Sequence, residues 1–356
     1  MNPVLPRRAA AVLLAVLLLF AASCGHAQTP TSDPSSTPPA PTTTTTTQPE
    51  IVLGLNPLTG LRDMETDNNR PVGVVVTDET STLVQINPEK ADMFFEAETE
   101  GGIPRMLAIF SSVDRLPEEI GPVRSARPHF VKFAKALDCI YCHIGGSASG
   151  LESIRQLGVN DVTGAETVNA VLKNSDNFSW NRKTFVKTKV LNVIQNRRYR
   201  ITSDLSSPFQ FGTRTGATTA NTVVVKISES YDMAFTYDAA SGLYQKHRNA
   251  LNTPVHTTYT GGPIAVSNVI VMFARRTLDE VTTYSNGSQS KRYDFELTSG
   301  SGLLASGGTS RPVRWSLAGG QLSYYEEDGV TPLTVATGKT FVCLASDTLR
   351  GRTTVG

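Results

Sequence analysis

Short, unbroken apolar runs recur along the chain from residue 72 onward. Val72-Gly73-Val74-Val75-Val76, Arg105 to Ser112 (RMLAIFSS) and Cys139 to Ile144 (CIYCHI) each have the length of a buried strand. Phe130, Phe133, Ala134 and Leu137 fall at i, i+3, i+4 and i+7, which predicts a helix over 128–137. Pro128 suits the first turn of that helix. Ser149-Gly150-Leu151-Glu152 has capping-box spacing and predicts a helix through Leu157. A further helix is predicted over 184–195. Strand, helix, strand, helix in this order predicts an α/β domain with crossover helices over 51–205.

After residue 206 the texture changes. Thr222–Ile227, Val266–Phe273, Arg292–Leu297 and Lys339–Leu344 read as strands. Gly261-Gly262, Asn286-Gly287, Gly300-Ser301-Gly302, Gly307-Gly308 and Gly319-Gly320 read as the turns between them. The expected fold class is therefore α+β: an N-terminal α/β domain with crossover helices and a mostly antiparallel β C-terminal domain over 206–356.

The first fifty residues have no such pattern. Arg7 and Arg8 precede the apolar run Ala9 to Ala22, which is shorter than the ~20 residues a membrane span needs. Ala21-Ala22-Ser23-Cys24 resembles a bacterial lipobox. This predicts a signal peptide over 1–23, lipid on Cys24 and anchoring to the extracytoplasmic face of the bacterial cell membrane. Cleavage after Gly25-His26-Ala27 is the alternative. Residues 24–50, rich in proline and threonine, predict a disordered tether.

Composition narrows the function. With 33 Lys+Arg against 32 Asp+Glu, the chain has no basic field to hold nucleic acid. Four cysteines do not make a disulfide scaffold at this length. P-loop, G-x-S-x-G and H-E-x-x-H motifs are absent, and neither a metal nor a cofactor is expected.

The candidate chemistry lies in three loops of the first half. On a strand, Glu96, Glu98 and Glu100 share a face and must be solvated, paired or bound to a cation. In GPVRSARP (121–128), Arg124, Ser125 and Arg127 precede a helix N-terminus, where an anion is favoured. His143-Ile144-Gly145-Gly146-Ser147 ends a strand. Arg105, Arg124, Ser125, Arg127 and Ser147 are the candidate ligand-binding residues. His143, Glu96 and Glu100 are the candidate proton-transfer groups. A structural arginine–carboxylate network is the competing reading. Cys139 and Cys142 form C-x-x-C, but an odd offset on a strand puts the thiols on opposite faces, as buried structural groups. His129 reads as a helix-surface residue. His247 and His256 have nothing but residue type in their favour.

Glu100-Gly101-Gly102 with Arg105, then GPVRSARP, then His143 with Gly145-Gly146-Ser147, resemble the YerB-like family of bacterial lipoproteins, built on a domain of unknown function. The resemblance extends to Asn56-Pro57-Leu58-Thr59-Gly60-Leu61 and Arg70-Pro71-Val72 upstream. Downstream it takes in Asn268-Val269-Ile270-Val271, Gly300-Ser301-Gly302, Trp315 and Gly338-Lys339. It implies an N-terminal α/β domain, a smaller C-terminal domain, export and lipid anchoring, and no transferable activity. Where members carry an Arg-Asp pair and a Pro-His-Asn run, this chain has Trp180-Asn181-Arg182 and Thr184-Phe185-Val186-Lys187. Two functions are weighed. One is a surface lipoprotein binding an anionic or carbohydrate cell-envelope ligand. The other is an envelope hydrolase or lyase acting on peptidoglycan or a phosphodiester-linked wall polymer. A cell-wall polymer or an envelope protein is the expected partner.

Overall fold

The valine run at 72–76 is buried on both faces and forms the strand β1 (Val72–Thr77). In the first half it is joined by β2 (Met93–Glu98), β3 (Pro104–Phe110), β4 (Ile140–His143) and β5 (Asp161–Thr163). The structure, a computed structural model, describes residues 53–78, 85–164, 168–171 and 183–356. The signal and tether with Cys24, and Trp180, Asn181 and Arg182, lie outside these residues.

The second half adds ten main strands. These are β6 (Thr222–Lys226), β7 (Asp232–Asp238), β8 (Leu243–Lys246), β9 (Asn268–Ala274) and β10 (Arg276–Thr283). They continue with β11 (Gln289–Phe295), β12 (Ser299–Ser306), β13 (Thr309–Ala318), β14 (Gln321–Glu326) and β15 (Thr340–Ser346). The main sheet runs β13-β12-β9-β15-β2-β3-β1-β4-β5, with β14 on β13. β15 lies parallel to both β9 and β2, with Phe341 opposite Phe94 and Val342 opposite Ile270. β6, β7 and β8 form a separate antiparallel sheet, and β10 and β11 pair as a hairpin.

This overturns the expected α+β class. Strands dominate, and the main sheet is mixed and draws on both halves of the chain. Crossover helices exist but are few: α2 (Ala148–Leu157) does link the parallel pair β4 and β5. The physical reason lies in β9 and β15. Strands buried on both faces read as plain apolar runs, and such a run does not record which sheet it enters.

Alternation along each strand divides the core. Val72, Val74, Val76, Phe94, Met106, Cys142 and Phe341 face Val223, Phe235 and Tyr244 of the second sheet, together with α3 (Lys187–Asn196). Val75, Phe95, Leu107 and Tyr141 face the opposite way, toward Phe130 and Phe133 of α1 (Pro128–Ala136) and Ile154 of α2. Phe95 stacks on Phe133 with ring centroids 3.8 Å apart.

Three local expectations are also corrected. The helix predicted over 184–195 begins as a strand, Lys183–Val186, before α3. The cap of α2 is Ser147, whose Oγ accepts from the Gly150 N–H at 3.0 Å; Ser149 lies inside the helix. Gly300-Ser301-Gly302 is not a turn but the interior of β12. A Cβ at Gly302 would sit 2.0 Å from the Val271 carbonyl oxygen, so glycine there permits close strand approach.

Candidate functional site

The Glu-Gly-Gly run leaves β2 through a tight turn in which Gly101 and Gly102 have φ of 64° and 76°. A Cβ on Gly102 would approach Ser228 to 2.7 Å. The turn aims the Glu100 carboxylate at basic side chains from three elements. Arg105, on β3, reaches Glu100 Oε2 at 3.0 Å, and Arg127, just before α1, pairs with Oε1. Arg292, on β11, lies 3.5 Å from Oε1 and is itself paired to Asp279 at 2.7 Å and to Glu280.

Burial costs these cations part of their charge stabilisation. Arg105 is pushed down to about 10, by burial first and then by its neighbour Arg127. Arg127 is lowered by burial, with Glu100 opposing. Burial raises the Glu100 carboxyl, but Arg105 and Arg127 outweigh it and hold the group below its usual value. Arg127 Nε and the Tyr141 hydroxyl, both buried, have no hydrogen-bond partner among the described residues. Arg124 lies close enough to repel Arg105, and Arg124 and Ser125 are half-buried at the rim. The Ser125 carbonyl accepts from Arg105 at 3.2 Å.

His143 and Ser147 are engaged locally. The His143 ring stacks on Tyr141, its Nδ1 lies 2.7 Å from the Gly145 carbonyl and its Nε2 lies 3.2 Å from Asp161 Oδ2. Both neighbours are acceptors, so making both bonds leaves no lone pair to take a substrate proton. The Ser147 hydroxyl is occupied by capping α2 and by Ser149 Oγ at 3.1 Å.

Glu96 lies elsewhere. It alternates with Phe94 on β2 and points toward the second sheet, where Lys246 alternates with Tyr244 on β8. Lys246 Nζ is 2.7 Å from Asp78 Oδ2 and 3.4 Å from Glu96 Oε2, with all three side chains 1% exposed. Gln85 donates from Nε2 to Asp78 Oδ1 at 3.1 Å and also to the Thr77 carbonyl. Gln85 Oε1 takes the His256 Nε2–H at 2.6 Å, and His256 Nδ1 lies 3.3 Å from Asp78 Oδ1. Burial, then the Asp78 charge, push the Glu96 carboxyl far up. Burial also raises Asp78, but Lys246 and His256 outweigh it and keep that carboxylate ionised. Burial pushes His256 down to about 4.

Asp78, Gln85 and Lys246 are not among the residues that the sequence pattern singles out. The available signal was a lysine two residues after Tyr244 on an alternating strand, which places an ammonium on the buried face.

The remaining candidates are structural in setting. Cys142 packs on one side of the main sheet and Cys139 on the other; both are free and buried, as is Cys343. His129 is wholly buried on α1, contrary to the expected surface position, with Nδ1 3.8 Å from Asp294. His247 bonds Thr236 and the Thr253 carbonyl.

Two family models match the chain. "Protein of unknown function (DUF3048) N-terminal domain" covers residues 58–200, and its C-terminal counterpart covers 223–342. The chain belongs to the DUF3048 family. Among its relatives is the "Putative lipoprotein YerB" of Bacillus subtilis (strain 168), 26% identical over 303 residues, 82% of this chain and 86% of that one. The crystal structure of the YerB protein from Bacillus subtilis matches with a TM-score of 0.70 and 24% identity, across 84% of this chain and 98% of that one. That likeness is one of fold. The resemblance read from the Glu-Gly-Gly, GPVRSARP and His-x-Gly-Gly-Ser runs is thereby established as membership.

Proposed function

We propose that this DUF3048 protein is held to the extracytoplasmic face of the cell membrane by lipid on Cys24 and binds an anionic cell-envelope ligand through Arg105, Arg124 and Arg127. The observation that carries the reading is the convergence on Glu100. One carboxylate faces three guanidinium groups from separate elements, and a buried Arg127 N–H has no acceptor among the described residues. A guanidinium fork suits carboxylate or phosphate, and an incoming anion relieves the repulsion between Arg105 and its two arginine neighbours. Similarity to a protein named as a lipoprotein supports the anchor. Among the described residues, no helix is long and apolar enough to cross a membrane.

The test is a thermal shift of the full chain in detergent with inorganic phosphate, glucuronate and neutral glucose. A ligand at 100 times its Kd stabilises by ~2.7 kcal/mol. A shift with an anion but not with glucose, lost in Arg124→Ala, is expected. Equal or absent shifts with all three would overturn the reading. Separately, Cys24→Ser should release the protein from the membrane fraction.

A further inference from the structure

The buried Asp78–Lys246–Glu96 cluster has no part in the arginine site, and a simple paired charge does not account for it. Two carboxyl groups and one ammonium meet on the inner face of the main sheet, cut off from water. The Lys246 ammonium lies 5.8 Å from the centre of the Phe341 ring, which itself packs on Phe94 and Phe235. Glu96 Oε2 is buried and has no hydrogen-bond partner among the described residues. Glu96 lies close enough to Asp78 to share a proton with it. A lysine held against a carboxyl group, beside a second carboxyl that carries a proton and with water excluded, has the components of an amide-forming centre.

We propose that Lys246 and Asp78 become joined by an intramolecular isopeptide bond, with Glu96 as the catalytic group that moves the protons. The pair starts as ammonium and carboxylate. A proton passes from Lys246 Nζ to Asp78 Oδ2, leaving a neutral amine and a carboxylic acid. The amine lone pair attacks Asp78 Cγ. The new C–N bond forms, and the carbonyl electrons move onto Oδ1, which the Gln85 Nε2–H holds at 3.1 Å. Glu96 gives its proton to Oδ2 and takes one from Nζ. The Cγ–Oδ2 bond then breaks, the carbonyl re-forms and water leaves. One ammonium and one carboxylate become one secondary amide and one water, and Glu96 ends as it began. No oxidant, metal or co-reactant is required.

The bond would join β8 of the second sheet to the residue that follows β1, closing a link between positions 168 residues apart. It would tie together the segments matched by the N-terminal and C-terminal family models.

Tryptic peptide mapping of the full chain, purified in detergent, tests the proposal. A linked Lys246 resists trypsin, so segments 63–90 and 227–248 should appear as one branched peptide, lighter than their sum by one water. Separate linear peptides 63–90 and 227–246, with no branched species, would overturn the proposal without any variant being made. Asp78→Asn should give the identical branched peptide, because ammonia leaves in place of water. Glu96→Gln, with its fold checked by circular dichroism, should give only linear peptides. A branched peptide in folded Glu96→Gln would overturn the role given to Glu96.

Discussion

Glu96 and His143 lie on opposite faces of the main sheet. Glu96 shares its face with Phe94 and the second sheet, and His143 shares its face with Tyr141 and the helices α1 and α2. A proton-transfer pair must meet within hydrogen-bond reach of one substrate, and these two side chains are separated by the sheet itself. Glu100 is on the His143 side but is held ionised among arginines. The arrangement supports anion binding at the arginines better than hydrolysis by these groups.

Lys246 and Asp78 make the first stability prediction. Lys246→Met should leave the Asp78 carboxylate buried without its cation. Removing one partner of a buried pair costs about 3–5 kcal/mol, and where the isopeptide bond has formed the loss of that cross-link adds to it. Urea denaturation of the full chain should show that loss, and Lys246→Met with Asp78→Asn should recover a substantial part of it. A single variant as stable as wild type would mean that water reaches the cluster.

His256 sets a pH dependence. Its folded value of about 4 lies below the ordinary 6.5, because burial disfavours the imidazolium. The unfolded chain therefore binds more protons between those values, and stability must fall as pH drops from 6.5 to about 4. The full effect is about 3 kcal/mol. Glu96 works the other way: its raised value gives stability that is present below the unfolded carboxyl value and lost as pH climbs. Denaturation midpoints for wild type and His256→Gln across this range separate the two. The acid limb should be shallower in the variant.

Much of the local structure was legible because it is written locally. The spacing of Phe130, Phe133, Ala134 and Leu137 gave α1 nearly to the residue, and the runs at 72–76 and 105–112 gave β1 and β3. That Glu96, Glu98 and Glu100 must be solvated, paired or bound to a cation was also legible, and the structure takes the pairing option: they meet Lys246, Arg276 and Arg105 with Arg127, respectively. The partners themselves were not, since Lys246 and Arg276 come from strands more than a hundred residues away. Sheet membership was hidden for the same reason. Nothing within Thr340–Ser346 records that it lies between β9 and β2.

Cys139, Cys142 and Cys343 should be silent toward a thiol reagent in the native protein. Burial pushes all three thiols up, away from the reactive thiolate. Titration with Ellman's reagent should find none of the three at neutral pH, and all three after denaturation. Fast native labelling at Cys139 or Cys142 would contradict their burial on opposite sides of the sheet.

Glu100→Gln separates a ligand site from a structural network. The amide keeps the shape but removes the charge that balances Arg105 and Arg127. Stability should fall by about 2 kcal/mol, less than for a fully buried pair because Glu100 keeps some contact with solvent. If Glu100 occupies the place that an external anion would take, inorganic phosphate should bind the variant several-fold more tightly and restore its melting temperature. Sodium chloride at equal ionic strength should not. A lowered melting temperature that phosphate cannot rescue would mean that the arginines serve only to hold the Glu-Gly-Gly turn against β3 and α1.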